Sequence, residues 1–135
     1  MAQVLLDVHP GAFISALRNN IDRREQIRSA THDTVTLCKN IDRALSVAAV
    51  VAAEGNDKRG GFLVLDGELQ GLHSIDKGNG DWLMRAAVGQ YGANRLDTFD
   101  IPNLVALYTR HGFREVLREP NLNGVGPDVI WMRRD

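Results

Sequence analysis

The chain has 135 residues, 44% hydrophobic and 24% charged, which suits one globular domain with a real core and excludes a disordered or fibrous chain. A formal net charge of −1 leaves no global basic excess to recruit nucleic acid or an anionic membrane. No stretch approaches the roughly 20 apolar residues that span a bilayer, the N-terminus lacks a signal-peptide pattern, and the one cysteine, Cys38, offers neither an intrachain disulfide nor a thiolate metal cluster, so a cytoplasmic protein without a metal is expected.

Val4 to Val8 is a short apolar run closed by Pro10-Gly11 and reads as a buried strand. From Ala12, Phe13, Ile14, Leu17 and Ile21 recur at helical spacing, predicting an amphipathic helix that frays after Arg24. The basic group Arg23, Arg24 and Arg28 belongs to its solvated face. Asp33 to Cys38 alternates polar with β-branched residues, as a half-buried strand does. From Asn40 to Ala53 two readings compete. Ile41, Ala44, Leu45 and Ala48 fit a helix capped by Asn40, the preferred reading, while Val47 to Val51 also suits a strand.

Phe62–Leu65, Asp66-Gly67 and Glu68–Ile75 form a hairpin, because Asp-Gly supplies the positive φ that a type I′ turn demands. Asp81 to Tyr91 carries Trp82, Leu83, Ala86, Ala87 and Tyr91 on one stripe, with Gly92 placed for a left-handed cap. Arg95–Phe99 alternates as a strand, Pro102 opens a helix through Leu104, Val105, Leu107 and Tyr108, and Gly112 ends it. Arg114–Arg118 and Val129–Met132 close the chain as two strands. The class is mixed α/β.

Gly78-Asn79-Gly80 falls between the hairpin and a helix start, where unpaired amides and the helix dipole attract an anion such as a pyrophosphate, although two such glycines also serve a plain tight turn. A nucleoside triphosphate loop is excluded by the lack of a Gly-x-x-x-x-Gly-Lys-Ser/Thr run, and a dinucleotide fingerprint by Leu83 at the third glycine position. Another phosphate-binding α/β module remains an alternative on these residues alone.

Over roughly residues 62 to 132 the order hairpin, Gly-x-Gly helix, strand and Leu107-Tyr108-x-x-x-Gly112-Phe113 resembles the GNAT N-acetyltransferase superfamily. The resemblance implies one domain over 1–135, a mixed α/β sheet with a splayed parallel strand pair (Glu68–Ile75 and Arg95–Asp100) flanked by helices, and transfer of an acetyl group from acetyl-CoA to an amine. It further implies that Gly78, Asn79, Gly80 and Asp81 hold the pyrophosphate, that backbone around Leu72, His73 and Ser74 pairs with the pantetheine arm, and that Tyr108 protonates the departing thiolate. For the base, His73 has a suitable ordinary pKa near 6.5, with Glu68 and Asp100 as further candidates. His111 reads as a helix C-terminal residue, His9 and His32 as loop residues.

Four differences from the family pattern bear on the site. Ile75 stands where an Arg or Gln is common, the loop is short, and Asp81 adds a negative charge, so weak coenzyme A affinity is expected. The asparagine usually found two turns before the tyrosine is missing, and the N-terminal half matches no acceptor motif. The brevity of the chain resembles small bacteriophage-encoded members, so a second expectation is a protein that keeps the fold and acts by binding a host protein with little catalysis. A homodimer is an open possibility.

Overall fold

The computed structural model of the chain describes residues 3–23, 46–52, 57–121 and 126–135. Among them are strands β1 (Gln3–Asp7), β2 (Ser46–Ala52), β3 (Lys58–Leu65), β4 (Glu68–Ser74), β5 (Arg95–Phe99), β6 (Arg114–Glu119) and β7 (Val129–Arg133). The helices are α1 (Pro10–Arg23), α2 (Gly80–Gly89) and α3 (Pro102–Arg110). The seven strands form one sheet in the order β1-β2-β3-β4-β5-β7-β6. Every neighbouring pair is antiparallel except β4 with β5.

Two clusters of buried side chains lie on opposite faces of this sheet because β3 alternates between them. Leu63 and Leu65 join Phe13, Ile14 and Leu17 of α1. Phe62 and Val64 join Leu83, Met84 and Ala87 of α2, with Leu96, Tyr108, Phe113, Ile130 and Met132. Each large apolar side chain fully withdrawn from water contributes about 1.5–3 kcal/mol, and Phe13, Leu17, Phe62 and Met84 are all at 0% exposure. The sheet is therefore a middle layer, with α1 on one face and α2 and α3 on the other.

Local chemistry sets the element ends. Pro10 opens α1, and the Nδ1 of His9 accepts the Gly11 N–H at 3.0 Å, so His9 caps the helix rather than standing idle in a loop. The hairpin turn has Asp66 at φ 50° and Gly67 at φ 85°, both left-handed as a type I′ turn requires. Gly92, at φ 71°, donates to the Val88 carbonyl and closes α2.

One expectation fails outright: Ser46–Ala52 is strand, not the C-terminal part of a helix. The run is inserted between β1 and β3 and bonded to both, and this non-local pairing outweighs its helical spacing. The strand expected at Asp33–Cys38, the residues 40–45 of the same helix, Arg24, Arg28 and His32 lie outside the described residues.

Candidate functional site

The parallel pair β4–β5 is joined at a single rung, Glu68 opposite Arg95, both at the N-terminal ends of their strands. Beyond it the strands part in mid-sheet, leaving β4 without a strand partner on that edge. The divergence matches the splayed pair expected from the sequence. A bulge adds to it. Between Leu63 and Gly61 of β3 the opposite register runs from Gln70 to His73, one residue more, and the extra residue accommodates Gly71 at φ 66°.

The bulge also decides which way β4 side chains point. Leu69 and Leu72 both pack toward α2 and α3, although an odd spacing of three would put them on opposite faces of a regular strand. Gln70, paired with Leu63, shares the α1 face, and His73 follows it there. His73 is buried at 6% exposure. Its ring lies 5.9 Å from that of Phe13. Its Nδ1 donates to the Gly71 carbonyl at 2.8 Å and its Nε2 accepts from Asn20 at 3.1 Å. A carbonyl can only accept, so these two bonds require the Nδ1–H tautomer. Burial pushes the imidazole pKa down to about 4. With both nitrogens committed inside the α1 core, His73 has the setting of a neutral core histidine, which weighs against the expected role as base.

At the C-terminal end of β4 the chain turns into α2. The Ser74 hydroxyl donates to the Asp76 carbonyl at 2.8 Å, and it accepts the Asp76 N–H at 3.1 Å and the Asn79 amide at 3.3 Å. Arg59 grips the Asp76 carboxylate through Nε at 2.7 Å and NH2 at 2.9 Å. Gly78 adopts φ 90°, and a side chain there would meet open space. Gly80 opens α2, and a Cβ on it would come within 3.2 Å of Leu107, so this glycine also lets α2 approach α3 closely. The amides of Gly80, Asp81 and Trp82 lie in the first turn of α2 and have no intrahelical acceptor.

Asp81 is not a free negative charge at this turn. The His111 Nε2 lies 2.7 Å from its carboxylate and Arg110 reaches it at 3.3 Å, from the end of α3. The His111 hydrogen bond first, and Arg110 with it, holds the carboxyl below the ordinary carboxylate range. His111 thus bridges two elements besides ending its helix.

Tyr108 lies on α3 with 7% exposure and stacks edge-on to Phe113, ring centres 6.4 Å apart. The turn that follows is closed by Phe113 N–H and His111 N–H donating to the Tyr108 carbonyl. Burial, and then the negative charge of Asp97, pushes the phenol well above the usual tyrosine range. Asp97 sits on β5 two residues beyond the rung to β4 and pairs with Trp131 of β7. Its alternation in Arg95–Phe99 marks it as a polar strand position, and its pairing with Trp131 sets it on the face of the sheet opposite Leu96 and Tyr108. Of the other base candidates, Asp100 is held by Arg118 at 2.7 Å, and Glu68 stands at the closed end of the gap.

No family model matches the chain, and no curated protein matches it. Solved structures do. A spermidine N-acetyltransferase SpeG chimera from Vibrio cholerae and hSSAT superposes with a TM-score of 0.63 at 18% identity, covering 99% of this chain and 95% of that one. The ribosomal-protein-S18-alanine N-acetyltransferase from Escherichia coli gives 0.64 at 15% identity, covering 98% and 93%. An acyl-CoA N-acyltransferase from Pseudomonas aeruginosa gives 0.62 at 17% identity over 100% of both chains. The fold is that of the GNAT N-acetyltransferases.

Proposed function

We propose that the chain is an acetyl-CoA-dependent N-acetyltransferase acting on an amine. The observation that carries this reading is the single rung between β4 and β5. A parallel pair held at one end only presents the free backbone edge of β4 inside the sheet, where an extended amide-bearing arm can add as a strand does. The N-terminus of α2 stands at one end of that edge and a buried phenol beside the gap.

In the reaction the amine nitrogen attacks the thioester carbonyl, a C–N bond forms, the C–S bond breaks and the sulfur leaves as a thiolate that needs a proton. On this reading the amides of Gly78, Asn79, Gly80 and Asp81 hold the pyrophosphate, aided by the α2 dipole. Arg110 and His111 offset the Asp81 carboxylate there, which removes the repulsion that its charge alone would bring. Backbone of Leu72, His73 and Ser74 lines the pantetheine arm; His73 takes part through its backbone alone.

Tyr108 keeps its proton throughout the neutral range, so its O–H is always available to the developing thiolate. A phenol with a raised pKa is a weaker acid than a thiol in water. Transfer to sulfur therefore depends on the buried setting, which raises the thiolate's proton affinity as well. The amine attacks in its neutral form, and the proton it loses passes to water.

Calorimetric titration of the chain with coenzyme A and with 3′-phospho-ADP tests this reading. Coenzyme A should bind one per chain and at least about tenfold more tightly than the fragment lacking pantetheine. Equal affinities would remove the gap from the account, and no binding of either would remove the site.

A further inference from the structure

β6 is the last strand of the sheet, and all six of its residues are exposed. Its inner edge pairs with β7, whereas among the described residues no strand pairs with its outer edge. Of the four exposed large hydrophobic side chains among the described residues, Val116 (46%), Leu117 (51%) and Trp131 (37%) are on β6 or beside it on β7, and Leu6 is on β1 at the other end of the sheet. The first three border a groove of about 240 Å³ that reaches Arg95 on β5.

The register along β6 is irregular between Glu115 and Leu117, leaving Val116 as a bulge. Glu115 and Arg118 pair with Met132 and Ile130, which are buried against the helices, so these two charges share the helix-covered face and meet at 2.8 Å. Arg114, Leu117 and Glu119 pair with Arg133, Trp131 and Val129 and share the open face. Without Val116 the ladder along β6 reads Arg, Glu, Leu, Arg, Glu. Read in the reverse direction it places a Glu opposite each Arg and Leu opposite Leu, with every pair on the same face.

We infer that the chain forms a two-fold homodimer in which β6 pairs antiparallel with β6 of a second copy, centred on Leu117. Arg114 then faces Glu119 and Glu115 faces Arg118 across the interface. The two copies of Leu117 meet on the axis, each beside its own Trp131, which makes an apolar centre with a charged rim. Charges and a bulge ordinarily protect an edge strand from pairing. Here they would repel a foreign strand yet complement a second copy, which gives the edge a single fitting partner. This inference stands independently of acetyl transfer.

Sedimentation of the whole chain over a wide concentration range should show a dimer. Glu115→Arg and Arg118→Glu, made singly, each place two like-charge pairs across the axis and should weaken the dimer about tenfold or more. An equimolar mixture of the two variants should recover it, because each reversed residue then faces its complement; loss of a purely internal ion pair would not be repaired by mixing. Should either variant fail to fold, Leu117→Cys in a Cys38→Ser background decides, since the two thiols would approach across the axis closely enough to oxidise to a disulfide-linked dimer. A wild-type monomer at all concentrations, a dimer indifferent to both reversals, a mixture that stays monomeric, or no crosslink at position 117 would each overturn the inference.

Discussion

Replacing His73 by Gln separates a core histidine from a catalytic one. The imidazole binds its proton at 6.5 in an unfolded chain and at about 4 in the folded one, because burial disfavours the charged ring. The unfolded state therefore takes up the proton first as pH falls. The stability contributed by the neutral ring is fully present above pH 6.5, declines between 6.5 and about 4, and is gone below that. The difference amounts to about 3 kcal/mol, or on the order of 10 °C in melting temperature for a chain of this size. Asp57 and Asp81 also have lowered pKa values and lose their contributions at still lower pH, but they do so in both proteins. Urea unfolding of wild type and His73→Gln across pH 4 to 7.5 should show the variant less stable by about 1–3 kcal/mol near neutrality, from its lost hydrogen bonds to Asn20 and Gly71. That gap should close or reverse toward pH 4. Parallel stability curves would refute the buried-histidine account. A fall in turnover of about 100-fold or more in folded variant would restore His73 as the base.

Gly60→Ala should destabilise the hairpin by about 1–3 kcal/mol, read as a lower thermal midpoint, since the new Cβ would stand 2.5 Å from the His73 carbonyl oxygen and 2.8 Å from the Ser74 Cα, both backbone atoms of β4. Asp81→Asn keeps the shape of the turn but frees Arg110 and His111 for a phosphate, so coenzyme A affinity should rise a few-fold in the same titration used for the wild type. A fall in affinity would mean that the carboxylate orders the turn rather than opposing the ligand.

Much of this architecture is legible in the sequence because the determinants are local. Asp66-Gly67 could hardly be other than a tight hairpin turn, Gly92 sits where α2 needs a left-handed residue, and Pro102 opens α3. Those three points, with the alternation of Arg95–Phe99, predict the strand-helix-strand order that pairs β4 and β5 in parallel, while the splay is expected from the family resemblance alone. What stayed hidden is non-local. Val47 to Val51 carries both a helical and a strand pattern, and only the bonds to β1 and β3 choose between them. In the sequence His73 is a candidate for its ordinary pKa near 6.5 and its place on the strand beside the expected gap. The bulge at Gly71 turns it into the α1 core, and one glycine among thirteen does not announce a bulge.

Release of free thiol from acetyl-CoA in the presence of a panel of amines, by wild type and by Tyr108→Phe, tests the central claim most directly. Wild type should exceed the buffer blank with at least one amine, and the variant should bind coenzyme A as before yet turn over about 10²–10⁴-fold more slowly. Release no faster than the blank with every amine, from a protein shown to be folded and to bind coenzyme A, would contradict the account.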